Sequence, residues 1–407
     1  MKRIFLLLVR IFYSSISLIF TLITARILTR DDYKQSVELI VALSIMAPIV
    51  SFGIGPLVVR KGNCSTKSLY RRALNGWILG GGISLVLGFI SYWLYPDIYI
   101  YIFFFLLLNN TSFIISECYR SQNDFFRALL YSNGSPSSGV ISLGIISNAI
   151  FLIICCVLLA LKLNISFSLV VWITIGSILL TVIYPFYKNN REWKITLTRK
   201  WLISYSKSGF NISLIYFLFS FIANADLLVI SHFSEQNIVY DYSLAFKLSA
   251  SCLIIHTFFA SMAQVEFVGN KFSVNSNIKK LYLISVSVSF VVIVLLNLFG
   301  YYILHAFGVN PHNIDFFRSV ILIKSVGALF YILLGFNASL LLISNKYRYI
   351  IAGCLVFLCS YVLLYLFMMS VIRIEQQNAV LYSWLVSYIF YSIILYFYAR
   401  RKRKYNG

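Results

Sequence analysis

Residues 223–249, ANADLLVISHFSEQNIVYDYSLAFKLS, decide how this chain is read. They run from an apolar helix carrying one acid, Asp226, through a short polar hairpin into a second apolar helix carrying Lys247. Residues 18–44, LIFTLITARILTRDDYKQSVELIVALS, do much the same. There one apolar helix ends with Arg26, the chain turns at Arg30-Asp31-Asp32-Tyr33, and a second helix enters with Glu38. At an offset of about 206 positions Ala25-Arg26 falls on Ser231-His232. One further residue of slip brings Tyr33 onto Tyr240 and Ser36 onto Ser243. A helix–hairpin–helix repeated at that distance in 407 residues predicts two halves of equal size.

The runs around both hairpins are of membrane grade. The chain is 60% hydrophobic and 12% charged, with a mean hydropathy of +0.85; an ordinary soluble domain is about 25% charged. Apolar runs of about 20 residues between short polar clusters predict transmembrane helices. The first run starts at Ile4 behind Lys2 and Arg3, meets no small-residue cleavage site and continues past Leu22, so it reads as a span rather than a leader. Twelve spans are expected, near 4–28, 37–59, 73–95, 98–118, 140–161, 165–187, 209–232, 242–268, 281–304, 316–343, 349–371 and 378–399. The expected fold is therefore all-α and integral to the membrane, with twelve transmembrane helices in two six-helix bundles around a central cavity. Residues 1–187 form the N-terminal lobe, 188–208 a basic amphipathic cytoplasmic linker, and 209–407 the C-terminal lobe with a basic cytoplasmic tail.

Charge placement gives the orientation. With both termini cytoplasmic, 25 of the 34 Lys and Arg fall on the cytoplasmic side. Outward segments take only Arg26, Arg30, Lys34, Lys162, Arg318 and Arg373, and Arg10, Lys247 and Lys324 fall inside spans. Basic residues stay on the cytoplasmic side of a membrane, so this asymmetry supports both the span count and the direction. It also accounts for most of the net charge of +21 without nucleic acid. The tail Arg400-Arg401-Lys402-Arg403-Lys404 reads as an orientation anchor on anionic lipid. In the linker, Lys188, Arg191, Lys194, Arg199, Lys200 and Lys207 alternate with Trp193 and Trp201, a composition suited to the inner leaflet. Residues 119–139, with SNGSPSSG, read as a flexible cytoplasmic loop. The third span carries Gly76, Gly80, Gly81, Gly82 and Gly88, which let helices approach closely. Pro48, Pro56 and Pro185 are expected kinks.

The seven cysteines form an odd set with no CxxC pair, so free thiols are expected. No HExxH, Walker loop or GxSxG occurs, and the short outward breaks leave no domain to carry an extracellular reaction. No catalytic residue, metal site or cofactor is expected.

The hairpins also carry a resemblance. ARILTRDDY (25–33), Asp226-Leu227-Leu228 followed by Tyr242-Ser243-Leu244-Ala245-Phe246-Lys247-Leu248, and SFGIGPLVVRKG (51–62) resemble motifs of the polysaccharide flippases. These are the Wzx-type O-antigen transporters of the multidrug/oligosaccharidyl-lipid/polysaccharide exporter superfamily. Tyr33 is followed here by Lys34 where the family has Gly. The resemblance spans the whole chain through length, span count and six-plus-six layout. It implies export of an undecaprenyl-pyrophosphate-linked oligosaccharide across the bacterial inner membrane by alternating access, with H+ or Na+ as candidate coupling ions. The implied partners are that substrate, membrane lipids, a polysaccharide polymerase and other export-pathway proteins. The alternatives are a related exporter of drugs or another lipid-linked precursor, and a membrane polysaccharide polymerase.

Intramembrane charges are the candidate functional residues. Each costs roughly 2.5–3.5 kcal/mol at mid-bilayer, so each needs a partner or a water-filled cavity. Asp226 and Lys247 lie at similar depth on adjacent antiparallel helices, which predicts a mutual ion pair; Arg26 and Glu38 offer the same arrangement in the first half. Both pairs are candidates for a structural clamp or for cation coupling. Lys324 and Arg10 have no evident acidic neighbour and are candidates for a cationic cavity that would hold a diphosphate. His256, deep in the eighth span, is the third cavity candidate, on the helix face roughly opposite Lys247.

Overall fold

The computed structural model describes residues 18–51, 66–121, 127, 145–160, 165–188, 199–269 and 274–403. Their regular structure is helical: α1 (Leu18–Ile27), α2 (Arg30–Ser51), α3 (Thr66–Leu94), α4 (Tyr99–Ser121), α5 (Ile145–Ala160), α6 (Phe167–Lys188), α7 (Arg199–Phe233), α8 (Gln236–Gly269), α9 (Ser276–Ala306), α10 (Ile314–Leu334), α11 (Asn337–Ile343), α12 (Tyr347–Phe367, continued by a π turn Met368–Ile372) and α13 (Gln376–Arg403). A helix closes its own hydrogen bonds, which is what hydrocarbon demands of a spanning backbone. Each of the twelve expected spans has a helix among the described residues, in whole or in part; 4–17 of the first and 52–59 of the second lie outside those residues. Nine helices among the described residues are long and apolar enough to cross a membrane.

The tenth span is the exception to a simple correspondence. Expected as one run over 316–343, it is broken into α10 and α11 at Gly335-Phe336. Gly335 has φ +94°, a backbone state that L side chains rarely adopt, and Asn337 turns its amide back onto the Leu334 carbonyl.

Contacts divide the chain into two compact units, one of Met1–Phe20 with Ile27–Phe221 and one of Thr21–Arg26 with Ile222–Gly407. The division falls inside α7, whose 35 residues span about 52 Å at 1.5 Å per residue. Of the basic linker, 189–198 lie outside the described residues and 199–208 form the first turns of α7.

The first unit is built on Leu39, Leu43 and Val50 of α2, Ile102, Leu106 and Ile115 of α4, and Val171, Ile175 and Ile178 of α6. Pro48 has no N–H, so the Ser44 carbonyl one turn back has lost its helical donor. The Ser220 hydroxyl of α7 donates to it instead, and Ser213 donates to the Pro48 carbonyl at 3.1 Å. Two serines seven positions apart lie on one helix face, so α7 is stitched along α2 on either side of Pro48. At Gly80 a Cβ would collide with the Asn110 amide and lie 2.6 Å from the Val50 carbonyl oxygen. Close approach of α2, α3 and α4 therefore requires glycine there. At Gly82 a Cβ would meet nothing.

In the second unit α9 turns Leu283, Val291, Leu298 and Tyr302 outward, all more than half exposed and apolar or amphipathic, as a lipid-facing stripe should be. Its other face, with Ser285, Ser289 and Ile293, is buried. Asn275 caps α9 by accepting from the Ile278 amide, and Asn313 caps α10 by accepting from the Phe316 amide, both at 3.0 Å. Cys118, Cys155, Cys252, Cys354 and Cys359 are free thiols.

Candidate functional site

The best-defined polar site lies in the second unit, where α7, α8, α10 and α13 each contribute one or two residues. Asp226 of α7 is fully buried. Its Oδ2 accepts the Tyr242 hydroxyl and ion-pairs with the Lys324 ammonium, itself only 4% exposed. Two aromatic faces cover the ammonium: the Trp384 ring centroid is 3.4 Å from Nζ, and that of Phe246 is 4.8 Å away. A cation over an aromatic face gains about 2 kcal/mol or more when water is excluded.

Local helix geometry explains how these residues converge. Tyr242 and Phe246 are one turn apart on α8 and share a face. Trp384 is fixed twice. Its indole N–H donates to the Ile222 carbonyl at 3.1 Å, one turn before Asp226, and its ring stacks on Tyr388 with centroids 4.7 Å apart. Gly327, one turn beyond Lys324, admits the indole, because a Cβ there would lie 2.8 Å from the Trp384 ring. Glycine in α10 thus lets tryptophan lie flat against the lysine head.

The partner of Asp226 is therefore Lys324 and not Lys247. Similar depth on adjacent helices leaves the rotation about each helix open. Lys247 follows Phe246 by one residue, about 100° round the helix, so it turns away from the carboxylate that Tyr242 and Phe246 face. Lys324, read from sequence as a cation without an acid, is neutralised.

A second buried carboxylate, Asp241, is committed differently. Its two oxygens accept the His312 and Asn313 amides at 2.8 and 2.7 Å, holding the entry of α10. Asp226 and Asp241 are the buried carboxylates of the described residues. Among those residues no group of three His, Cys, Asp or Glu side chains could hold a metal ion.

No known family model matches the sequence, and no curated protein matches it. Solved structures do. An inward-facing multidrug resistance MATE family transporter of the MOP superfamily superposes with a TM-score of 0.66 at 12% identity, over 97% of this chain and 98% of that one. The outward-facing conformation of a multidrug resistance MATE family transporter gives 0.63 at 14%, over 98% and 95%. A MOP superfamily transporter from Pyrococcus furiosus, described as having a binding pocket of reversed polarity, gives 0.63 at 12%, over 98% and 95%. The chain has the MATE fold.

Within that fold the remaining sequence candidates are scattered. Lys247 is half-buried and, among the described residues, has no ion-pair or hydrogen-bond partner. Ser251, one turn further along the same face of α8, is also half-buried and without a partner among the described residues. His256 is 1% exposed, hydrogen-bonded through Nδ1 to Ser285 Oγ at 3.0 Å and packed against the rings of Phe336 and Tyr331. Arg26 is exposed and donates to the Phe307 carbonyl at 3.4 Å, against Gly308. Arg26 belongs to the second unit and Glu38, half-buried on α2, to the first. Arg10 lies outside the described residues.

Sequence reading missed Trp384, Phe246, Tyr242 and Asp241 as site residues. Trp384 carried a signal: membrane tryptophans favour the interfaces, and this one sits more than two turns inside its helix. Tyr242 and Phe246 carried only their common helix face.

Proposed function

We propose that the protein exports an anionic lipid-linked oligosaccharide, an undecaprenyl-pyrophosphate-linked repeat unit such as O-antigen. It moves the unit from the cytoplasmic to the periplasmic leaflet of the bacterial inner membrane by alternating access, with both termini cytoplasmic. The MATE fold supports a transporter rather than an enzyme, and relatives in this fold are captured both inward-facing and outward-facing. The observation that carries the anionic substrate is the charge balance of the second unit. Among the described residues its buried carboxylates are committed, Asp226 to Lys324 and Asp241 to the α10 entry, while Lys247 is half-buried with no pairing partner. An organic cation needs a carboxylate to receive it; a diphosphate needs an ammonium. Lys247 with Ser251 supplies one charged and one neutral donor for such a group, and takes over the role that sequence reading gave to Lys324.

The test is a deletion strain. It should lose surface polysaccharide and accumulate the lipid-linked oligosaccharide on the inner leaflet, with the wild-type gene restoring export. A second reading, drug export, is favoured by the multidrug transporters among the structural neighbours. Unchanged polysaccharide together with raised drug susceptibility would decide for that reading instead.

A further inference from the structure

The surroundings of the Lys324 ammonium are those of a ligand site. A small cation bound in a protein can be held by a carboxylate and enclosed by aromatic faces, and each of those parts is present in the buried interior of the second unit. Asp226 supplies the charge, Tyr242 orients the carboxylate by donating to it, and Trp384 and Phe246 supply the two faces. The cage is built with care beyond what a simple clamp requires. Gly327 leaves room for the indole, and the Ile222 carbonyl and Tyr388 hold the indole in place.

We propose that Asp226, Tyr242, Trp384 and Phe246 form a monovalent-cation site whose resident occupant is the chain's own Lys324 ammonium, so that this site takes no alkali-metal cation from solution. The site is self-loaded. Sequence reading left Asp226 open as a coupling-ion residue; the geometry fills that position from within the chain. The charge of the Asp226 carboxylate is balanced by an ammonium of the same compact unit. The proposal stands whatever the transported substrate proves to be.

The experiment uses the purified full-length protein in detergent and reads the thermal unfolding midpoint. N-methylglucamine chloride serves as the ionic-strength control. Sodium chloride and n-propylammonium chloride at roughly 100 mM should leave the wild type unmoved, because a filled site has no linkage to added ligand. Lys324→Ala removes n-propylammonium from the cage. This variant should unfold lower than wild type and recover roughly 2–4 °C with added n-propylammonium, the shift expected when a ligand binds only the folded state. Buried engineered cavities do admit small ligands of this size. Neutral n-propanol has the same shape and should not restore it. Equal recovery with n-propanol would mean that only volume matters, and would overturn the proposal. So would a sodium-dependent rise in the wild type that disappears in Asp226→Asn. Should Lys324→Ala fail to accumulate, Lys324→Met takes its place. Methionine keeps the stem and omits only the ammonium, so sodium should raise its midpoint and not that of the wild type; absence of that rise also overturns the proposal.

Discussion

Tyr240 donates its hydroxyl hydrogen to the backbone carbonyl of Ala25, 3.3 Å away. The two residues come from the two hairpins whose repetition organises the sequence. Beside them the Arg26 guanidinium reaches the Phe307 carbonyl, so the end of α1 is held within the second unit. Both bonds use backbone acceptors, which suits a contact that must form whatever side chains surround it.

Tyr240→Phe deletes the first bond while keeping the ring. A buried neutral hydrogen bond contributes about 0.5–1.5 kcal/mol net. The expected outcome is a small fall in thermal stability in detergent, and a larger one when Arg26→Ala is added. An unchanged midpoint in the double variant would show that α1 is held by apolar packing alone.

Removing one member of the buried pair should be far worse than removing both. Asp226→Ala leaves the Lys324 ammonium without its carboxylate and should cost about 3–5 kcal/mol, or prevent accumulation altogether. Asp226→Asn with Lys324→Met replaces the pair by neutral groups of similar size and should recover most of that loss. Thermal unfolding of the three proteins checks this, with the double variant expected well above the single one.

Lys247 is expected to be needed for export and not for folding, since no described residue pairs with it. Losing one charged hydrogen bond corresponds to about 1.5–3 kcal/mol, or roughly a ten- to hundredfold drop in rate. Lys247→Ala should show that loss at normal protein level, Lys247→Arg should keep part of the activity, and Ser251→Ala should fall between. Surface polysaccharide in a dependent strain is the measurement. Full export by Lys247→Ala would remove the lysine from the substrate path.

Two neighbouring glycines of α3 should behave oppositely. Gly80→Ala places a methyl against the Asn110 amide and the Val50 carbonyl oxygen and should destabilise by about 1–3 kcal/mol. Gly82→Ala meets nothing and should be neutral, or gain up to about 1 kcal/mol from helix propensity. Equal effects at the two positions would contradict the close packing of α2, α3 and α4.

Orientation is open to reporter fusions. Those after Lys61, Asn190 and Lys404 should report cytoplasm, and one near Glu235 periplasm. A periplasmic signal after Asn190 would invert the second half and refute the two equal halves read from the repeat.

The spans, their order and the all-helical architecture were legible in the sequence because their causes are local. Hydrocarbon demands about 20 apolar residues and a backbone that satisfies itself, and each requirement is met within one stretch of chain. The break of the tenth span was not read from the sequence, because an apolar run of spanning length continues on both sides of Gly335. That charges placed inside spans call for partners was legible too, since charge is expensive wherever in the membrane it falls. Which of them meet was not. Asp226 had a lysine at matching depth on the very next helix, yet its partner comes from α10, and Trp384 of α13 closes the cage. Depth follows from counting along one helix, whereas contact depends on how each helix is rotated about its axis and on which distant helix packs beside it. Only the tertiary structure sets those two quantities, because they are fixed by packing all the helices of the unit closely at once.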